Sequence, residues 1–428
     1  MGRHMKKVCA MAGVIFNPEK PLQSIRELRA AGISEVMFDF GLFASSERIL
    51  MDRGKQKTDF QPDLVKKSFD LVMEQFMEHE FLPSIARLPF VYTGANYIQE
   101  HQYEEWNRLL LRLALDSIKV CEKMGCNNII LQPLCASVER DKEWEANREF
   151  CLALASECSG KDTKLLLVNQ CRNHNGHLVR GVCSDGVEAA EWIDALNRET
   201  GKERFGFCLD VGNCNLCGQN IQEMTAALGK RIQAVILSEN DGKNMARLLP
   251  FTAAVGRRSV LDWLGVIRGL REIDFDGYLI LEAVDTTVSF SPLLQPCLVP
   301  VYREILDYFA LQIHIERELK RYDRVALFGA GNMCRNYMKC YGEKYPPLFT
   351  CDNNPKLWGT EFEGLKVKPP ESLKHLPDNC GVIICNIFYR EIEAQLRSMG
   401  IRHIGYFNDE YMPSFYFDRL KRDPDISH

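Results

Sequence analysis

The sequence lacks an apolar run long enough to cross a bilayer, shows no visible signal peptide, and has no large excess of charge of one sign. Its 53 Lys and Arg residues nearly balance 58 Asp and Glu residues, which gives a formal net charge of −5. Hydrophobic content of 46% and charged content of 26% are typical of a globular protein. We therefore expect a cytoplasmic protein that has neither a nucleic acid nor a membrane as partner.

The chain also lacks the clustered cysteines and histidines of a structural zinc site. Its 17 cysteines are scattered singly, and the one close pair, Cys214 and Cys217, has no second pair or histidines beside it. A long chain without a secretory signal is better explained by reduced, buried thiols than by a disulfide framework.

Up to about residue 312 the sequence repeats the pattern of a strand followed by a helix. Runs such as residues 165–168 (LLLV) are apolar throughout, as in parallel strands that are buried on both faces. The pattern predicts a (β/α)8 TIM barrel over residues 6–318, with its chemistry at the carboxyl ends of the strands. The predicted strands are residues 8–16, 35–40, 81–90, 128–134, 164–169, 205–213, 232–237 and 278–283.

Two of these predicted strands carry a carboxylate near their carboxyl end, Asp210 and Glu282. Carboxylate oxygens suit a divalent metal, which polarises a carbonyl and a hydroxyl of one substrate. A flanking carboxylate then moves a proton between adjacent carbons. Asp210 and Glu282 are therefore the candidate catalytic residues and the candidate metal ligands.

A polar loop after the fifth predicted strand is a candidate for binding the anionic group of a substrate. Two arginines and two histidines within nine residues suit a phosphate or a carboxylate, although a solvated loop explains each of them equally well. The candidate substrate-binding residues, including polar groups near other strand ends, are Arg87, Gln132, Asn169, Gln170, Arg172, His174, His177, Glu239 and Arg257.

The alternation of strands and helices restarts near residue 321 and predicts a small doubly wound, Rossmann-like domain over residues 322–412. Gly329 and Gly331 follow a strand (residues 324–328), where glycine lets the backbone approach a phosphate, and Asn332 begins the next helix. Asp352 lies about 20 residues further on, where an acid meets a ribose. NAD or another nucleotide is thus a candidate cofactor. Cys334 replaces the third glycine of the pattern, and a structural or oligomerising domain remains the alternative.

Three stretches resemble the xylose-isomerase-like barrels, which include sugar phosphate isomerases and epimerases. They are residues 209–218 (LDVGNCNLCG), 232–242 (IQAVILSENDG) and 256–282 (GRRSVLDWLGVIRGLREIDFDGYLILE). The resemblance covers residues 6 to about 312. It implies a carbohydrate or polyol as the partner, in free, phosphorylated or nucleotide-linked form. Residues 325–333 (VALFGAGNM) and 382–401 similarly resemble Rossmann-like domains of bacterial glycan-biosynthesis proteins, and a homo-oligomer remains open.

The resemblance also implies a degenerate metal site. The family binds metal through a glutamate, an aspartate, a histidine and a glutamate after strands five to eight. Asp210 and Glu282 match the second and the fourth, whereas Val168 and Ile236 stand at the first and the third. Three alternatives stay open: a rebuilt metal site that includes Gln170 or His174, a metal-free enzyme, and a non-catalytic carbohydrate- or nucleotide-binding protein.

Overall fold

The chain divides into two compact units, residues 1–308 and 309–428, and the boundary lies within the helix Leu298–Lys320. The domain limits at residues 318 and 322 stay a prediction. The computed structural model describes residues 5–10, 16–17, 19–42, 62–89, 100–134, 139–158, 162–174, 176–255 and 258–407. Arg257 and part of the first predicted strand lie outside these residues.

Eight parallel strands of the first unit form a closed barrel. They are β1 (Lys6–Ala10), β2 (Val36–Asp39), β3 (Ile85–Arg87), β4 (Asn128–Leu131), β5 (Lys164–Val168), β6 (Phe205–Asp210), β7 (Ile232–Leu237) and β8 (Tyr278–Leu281). Each strand pairs with its neighbours in the sequence, and β1 also pairs with β8, which leaves no free edge. The barrel predicted from the sequence is confirmed.

Helices of the first unit alternate with these strands. α1 begins at Pro21, whose fixed φ suits the first turn of a helix. The helix Trp263–Glu272 begins after Asp262, whose carboxylate accepts a hydrogen bond from the amide of Gly265 at 3.0 Å. The helices are α1 (Pro21–Ala30), α2 (Pro62–Glu78), α3 (Glu100–Met124), α4 (Arg140–Glu157), α5 (Gly186–Thr200), α6 (Val211–Leu216), α7 (Ile221–Leu228), α8 (Trp263–Glu272), α9 (Val284–Ser289) and α10 (Leu298–Lys320). Among the described residues, no helix is long and apolar enough to cross a membrane.

The barrel interior is an apolar cluster built from alternate residues of the strands. Val168 at the end of β5 and Ile236 near the end of β7 belong to it, with exposures of only 4% and 2%. The two positions that the resemblance gives to metal ligands are therefore part of the packed core. Most cysteines of the described residues are buried and none forms a disulfide there. Burial raises the pKa of Cys9 to about 12, which keeps this thiol protonated.

The polar loop predicted after β5 is a β-hairpin. Its two strands pair antiparallel and comprise Cys171–His174 and His177–Arg180. The amide of Gly181 donates to the carbonyl of Gln170 at 3.0 Å, so the base of the hairpin is closed. A second short antiparallel pair, Ala254–Val255 with Arg258–Ser259, follows β7.

The second unit contains one six-stranded sheet. Its strands are β9 (Arg324–Phe328), β10 (Pro347–Cys351), β11 (Glu361–Phe362), β12 (Leu365–Lys368), β13 (Cys380–Ile384) and β14 (Ile404–Tyr406), in the order β11-β12-β10-β9-β13-β14. All neighbours are parallel except β11 and β12. The helices α11 (Asn332–Tyr341) and α12 (Tyr389–Ser398) contribute to separate apolar clusters that contain alternate residues of β9 and β13. Helices thus cover both faces of this sheet.

Candidate functional site at the mouth of the barrel

Five charged side chains converge where the barrel strands end. Four of them terminate or directly follow a strand, and the fifth comes from the loop after β7. We call these residues the mouth cluster: Asp39, Arg87, Asp210, Arg247 and Glu282. Because the strands of a closed parallel barrel all end at the same side, residues distant in sequence become neighbours here.

Arg87 joins the end of β3 to the carboxylates that follow β8 and β2. Its Nη1 and Nη2 donate to the two oxygens of Glu282 at 3.1 and 2.8 Å, in the bidentate geometry that arginine forms with a carboxylate. Nη2 also donates to Asp39. One arginine thus holds two of the three carboxylates of the mouth cluster.

Arg247 contacts the other carboxylate and reaches toward Glu282. Its Nη1 donates to Asp210 at 2.7 Å and to the Ser238 hydroxyl at 3.0 Å. Its Nε lies 4.0 Å from the Oε2 atom of Glu282. The second oxygen of Asp210 caps α6 by accepting from the amide of Asn213 at 2.9 Å. The Arg247 guanidinium therefore lies between the two predicted catalytic carboxylates.

Burial and ion pairing act in opposite directions on these charges. Burial disfavours the ionised form of Glu282, yet the positive charges of Arg87 and Arg247 and the hydrogen bonds from Arg87 prevail and lower its pKa to about 2. The pKa of Arg247 is raised although burial alone lowers it, because Asp210 and Glu282 stabilise its charge. At neutral pH the cluster contains ion pairs and no protonated carboxyl group on Glu282.

The backbone of Arg247 is fixed from both sides. Its amide donates to a carboxylate oxygen of Asp285 at 2.6 Å, and the amide of Asp285 donates to the carbonyl of Arg247 at 3.0 Å. Leu248 and Glu239 exchange two backbone hydrogen bonds of 2.9 Å. These bonds tie the loop after β7 to the start of α9 and so set the position of the guanidinium.

Glu239 supports this loop from within the protein. Its carboxylate accepts from the amides of Thr252 at 2.8 Å and Ala253 at 3.3 Å, and from the indole N–H of Trp263 at 3.4 Å. The residue is fully buried. The structure therefore places this predicted substrate-binding residue beneath the loop.

Asn169 and Gln170 hold the strand ends together. The side-chain amide of Asn169 donates to the carbonyl of Asp210 at 2.9 Å and accepts from its amide at 2.7 Å. Gln170 donates to the carbonyl of Pro133 at 2.8 Å. Gln132 follows β4 directly and is half-buried. Asn169 thus positions the backbone of Asp210.

The arginine and histidine side chains of the hairpin have different surroundings. Arg172 pairs with Glu143 of α4, and Arg140 also donates to Glu143 at 2.9 Å. Burial raises the pKa of Glu143 against the opposing effect of both arginines. His177 is exposed, and His174 lies in the first hairpin strand with its side chain outside the described residues. Arg172 therefore attaches the hairpin to α4.

The predicted phosphate loop of the second unit is closed by its own acid. Gly329 has φ of +120° and lies so close to Cys385 that a Cβ atom would stand 2.5 Å from the carbonyl oxygen. Asp352 accepts from the amides of Ala330 at 3.0 Å and Asn354 at 2.8 Å. Gly331 precedes α11 as its N-cap, and the Asn332 side chain accepts from Arg335 at 2.9 Å.

The residues of the second unit do not support NAD. Both oxygens of Asp352 bind backbone amides of the same sheet edge, where a ribose hydroxyl would need them. Cys334, which stands at the third glycine position, is fully buried in the cluster between α11 and the sheet. Its side chain therefore fills the space that a glycine leaves for close packing of helix and strand.

The donor set at the mouth does not fit a divalent metal either. Val168 and Ile236 offer no donor atoms, and the two remaining carboxylates are paired with guanidinium groups. Within the described ranges, no group of three or more His, Cys, Asp or Glu side chains is arranged to hold a metal ion. The positive charge between Asp210 and Glu282 is that of the Arg247 guanidinium.

The sequence pattern misses three residues of this site: Asp39, Arg247 and Asp285. Asp39 lies near the carboxyl end of a predicted strand, as Asp210 does, and this signal is sufficient to find it. Arg247 and Asp285 stand in a loop and a short helix, where no periodicity marks them. Their roles follow only from the contact between these two residues, which are 38 positions apart in the sequence.

Comparison with known proteins agrees with this architecture. Residues 99–296 match the family model described as a xylose isomerase-like TIM barrel. No curated protein matches the chain. Solved structures with a similar fold include a D-tagatose 3-epimerase-like protein (15% identity, 71% of this chain and 99% of that chain covered, TM-score 0.47). With a TM-score of only 0.47, this similarity carries no argument about the present chain.

Two further structures are similar to the same degree. The 3-keto-D-glucoside 4-epimerase from E. coli has 14% identity, with 71% of this chain and 98% of that chain covered and a TM-score of 0.46. The IolI protein with a bound zinc atom has 16% identity, with 73% and 99% covered and a TM-score of 0.48. The function of the present chain therefore has to be inferred from its own residues.

Proposed function

We propose that the protein binds a carbohydrate or polyol at the barrel mouth, as a sugar isomerase/epimerase-like protein that works without a divalent metal. The mouth cluster is the observation that supports this proposal. Carboxylates and guanidinium groups converge at the end of the barrel where enzymes of this fold bind their substrates. The xylose isomerase-like match over residues 99–296 supports the same class of ligand.

The chemistry of the cluster suits hydroxyl groups. A sugar hydroxyl both donates and accepts hydrogen bonds, and the cluster offers carboxylate acceptors next to guanidinium donors. The Arg247 side chain is 25% exposed, whereas Asp210 beneath it is 2% exposed. A ligand that enters the mouth therefore meets the arginine first and the carboxylate second.

The geometry favours binding over proton transfer by Glu282. Both of its oxygens accept hydrogen bonds from Arg87, and its pKa of about 2 makes it a weak base at neutral pH. A second glutamate to return the proton is missing, because Val168 stands at that position. The cluster can bind a ligand with its present residues, whereas a two-base reaction needs a second basic side chain that Val168 does not provide.

Metal-free isomerisation is the second candidate function. Arg87 and Arg247 place two positive charges in a largely buried site, and such charges stabilise an oxyanion that develops on a carbonyl oxygen. Stabilising this oxyanion makes the C–H bond next to the carbonyl more acidic, so that the ionised Glu282 would accept its proton while the electron pair of the bond moves toward the carbonyl oxygen. This candidate predicts exchange of a carbon-bound proton of the sugar with solvent.

One experiment tests both candidates. Neutral sugars, polyols, sugar acids, sugar phosphates and nucleotide sugars are screened by saturation-transfer NMR in buffer with EDTA, and every ligand found is then incubated in D2O. We expect at least one carbohydrate to bind the wild type and Glu199→Gln, a control at an exposed ion pair. Binding should weaken at least about ten-fold in Glu282→Gln and Arg87→Met, because each breaks the bidentate pair.

Three outcomes separate the possibilities. Loss of a carbon-bound proton signal in D2O, abolished by Glu282→Gln, establishes isomerase-type chemistry. Binding without exchange establishes the non-catalytic alternative. The proposed function is contradicted if no carbohydrate binds, or if all variants bind the ligand equally well.

We also propose that the second unit is a small Rossmann-like domain with a structural role. Its parallel strands β9, β10, β12, β13 and β14 follow the order that two βαβ halves generate, and helices cover both faces of the sheet. Asp352 stabilises the loops at its edge, as described above. Nucleotide binding by this unit and a homo-oligomeric state stay predictions.

A further inference from the structure

We infer that the Arg247 guanidinium is the resident cation of this barrel and excludes a divalent metal from the space between Asp210 and Glu282. The inference deepens the proposed function and rests on it for the nature of the ligand. Its test requires no ligand, because the property in question is the affinity of the protein for a metal ion.

The Arg247 guanidinium lies where a metal ion shared by Asp210 and Glu282 would bind. One planar group lies 2.7 Å from Asp210 through Nη1 and 4.0 Å from Glu282 through Nε. A metal bound by both carboxylates needs the same space, since metal–oxygen bonds are about 2.0 to 2.6 Å long. The guanidinium and the metal are therefore alternatives.

Replacing the Arg247 guanidinium by a metal ion is energetically unfavourable. A metal that displaced Arg247 would break its charge-assisted bonds to Asp210 and Ser238 and leave a largely buried arginine without these partners. Breaking such a pair leaves a charged group in a largely buried site without its partner, which is strongly unfavourable. In return the metal would gain two carboxylates, one of which stays paired with Arg87, and none of its further ligands can come from Val168 or Ile236.

Further hydrogen bonds hold the backbone of Arg247 and the carboxylate of Asp210. Asp285 binds its backbone amide, and Leu248 is tied to Glu239 on the following residue. Asp210 is fixed in turn by the Asn169 side chain and by its own capping bond to Asn213. The backbone of Arg247 and the carboxylate of Asp210 are both held, which keeps the guanidinium within reach of Asp210.

To test this inference, Mn²⁺ is titrated into metal-free protein and binding is measured by isothermal titration calorimetry. Arg247→Met keeps the apolar stem and removes the charge, while Arg247→Lys keeps the charge and serves as the matched control. We expect wild type and Arg247→Lys to bind Mn²⁺ no tighter than about 1 mM, and Arg247→Met to bind at least about ten-fold tighter. Adding Asp210→Asn to Arg247→Met should remove the gain, which locates the new site.

Two results would overturn the inference. One is binding of Mn²⁺ by the wild type that Asp210→Asn abolishes, since Arg247 then fails to exclude the metal. The other is no gain in folded Arg247→Met, as judged by circular dichroism. If Arg247→Met does not fold, Arg247→Gln is titrated in its place, with the same two criteria. Failure to bind any carbohydrate rejects the proposed function and leaves this titration unaffected.

Discussion

Glu282 shows at the scale of one residue how a buried carboxylate stays ionised. Burial raises the pKa of a carboxyl group, and at this position the two arginines reverse the sign of the shift. The energy of the ion pairs therefore has to exceed the desolvation of the carboxylate. This balance gives the protein a definite response to pH.

The pH response of Glu282 is the first prediction at this scale. Its pKa falls from 4.5 to about 2 on folding. A lowered folded-state pKa contributes stability above pH 4.5, and the contribution is lost as the pH falls toward 2. The full contribution is about 3 kcal/mol. Urea unfolding of wild type and Glu282→Gln is measured between about pH 6 and pH 3. The free energy of unfolding should fall more steeply in the wild type, and parallel curves would contradict the assigned ion pairs.

The sequence predicts the position of Asp210 and Glu282 but not their partners. A carboxylate at the end of an apolar run is visible in the sequence, because strand periodicity stops there. The partner of Glu282 is 195 residues away in Arg87, and that of Asp210 is 37 residues away in Arg247. Such pairs are fixed by the closure of the barrel, so the arginines cannot be assigned to them from local patterns.

At the scale of elements, the loop after β7 is held by a contact that a variant can remove. Asp285→Ala deletes the acceptor of the Arg247 amide, whereas Asp285→Asn keeps an oxygen in its place. We expect hydrogen exchange of the amides in residues 246–249 to accelerate at least about ten-fold in Asp285→Ala. Mass spectrometry of exchanged peptides provides the measurement.

The conservative variant distinguishes a specific contact from general loss of structure. Asp285→Asn should retain most of the protection, and peptides from β4 and β5 should exchange alike in all three proteins. Equal acceleration in Asp285→Asn, or none in Asp285→Ala, would show that this carboxylate does not position Arg247.

The hairpin after β5 illustrates the limit of composition as a guide to elements. Arginines and histidines in residues 170–180 indicate an anion-binding loop, which stays a prediction, and the structure pairs Arg172 with Glu143. Glu143 lies on a strongly charged helix, where the sequence does not distinguish a buried glutamate from its exposed neighbours. The hairpin itself is closed by backbone bonds, which leave no mark in the residue types.

At the scale of the whole molecule, the sequence predicts both units. The repeated alternation of strands and helices remains visible even where the predicted boundary of a single element is wrong. Eight apolar runs separated by amphipathic segments define the barrel even where single boundaries shift by several residues. The second unit is found from one strand–glycine–helix junction and from later apolar runs. The short strands β11 and β12 carry too few residues for a period to be visible.

The glycine junction of the second unit gives the last prediction. Gly329→Ala forces a side chain into a positive φ and toward the Cys385 carbonyl, so the second unit should lose at least about 2 kcal/mol of stability. Gly331→Ala is the matched control, since a Cβ atom there meets no atom within 4 Å, and it should cost less than about 1 kcal/mol. Calorimetry of both variants decides, and equal unfolding temperatures would reject the steric account.

The Arg247 guanidinium between two carboxylates determines how the site obtains its positive charge. A cation that belongs to the polypeptide is present in every folded copy, at a ratio of one to one, and neither starvation for trace elements nor a chelator can remove it. This cation is a side chain encoded in the sequence, so a competing metal ion cannot be exchanged for it. A carbohydrate site that works as we propose would therefore not depend on the supply of a metal ion.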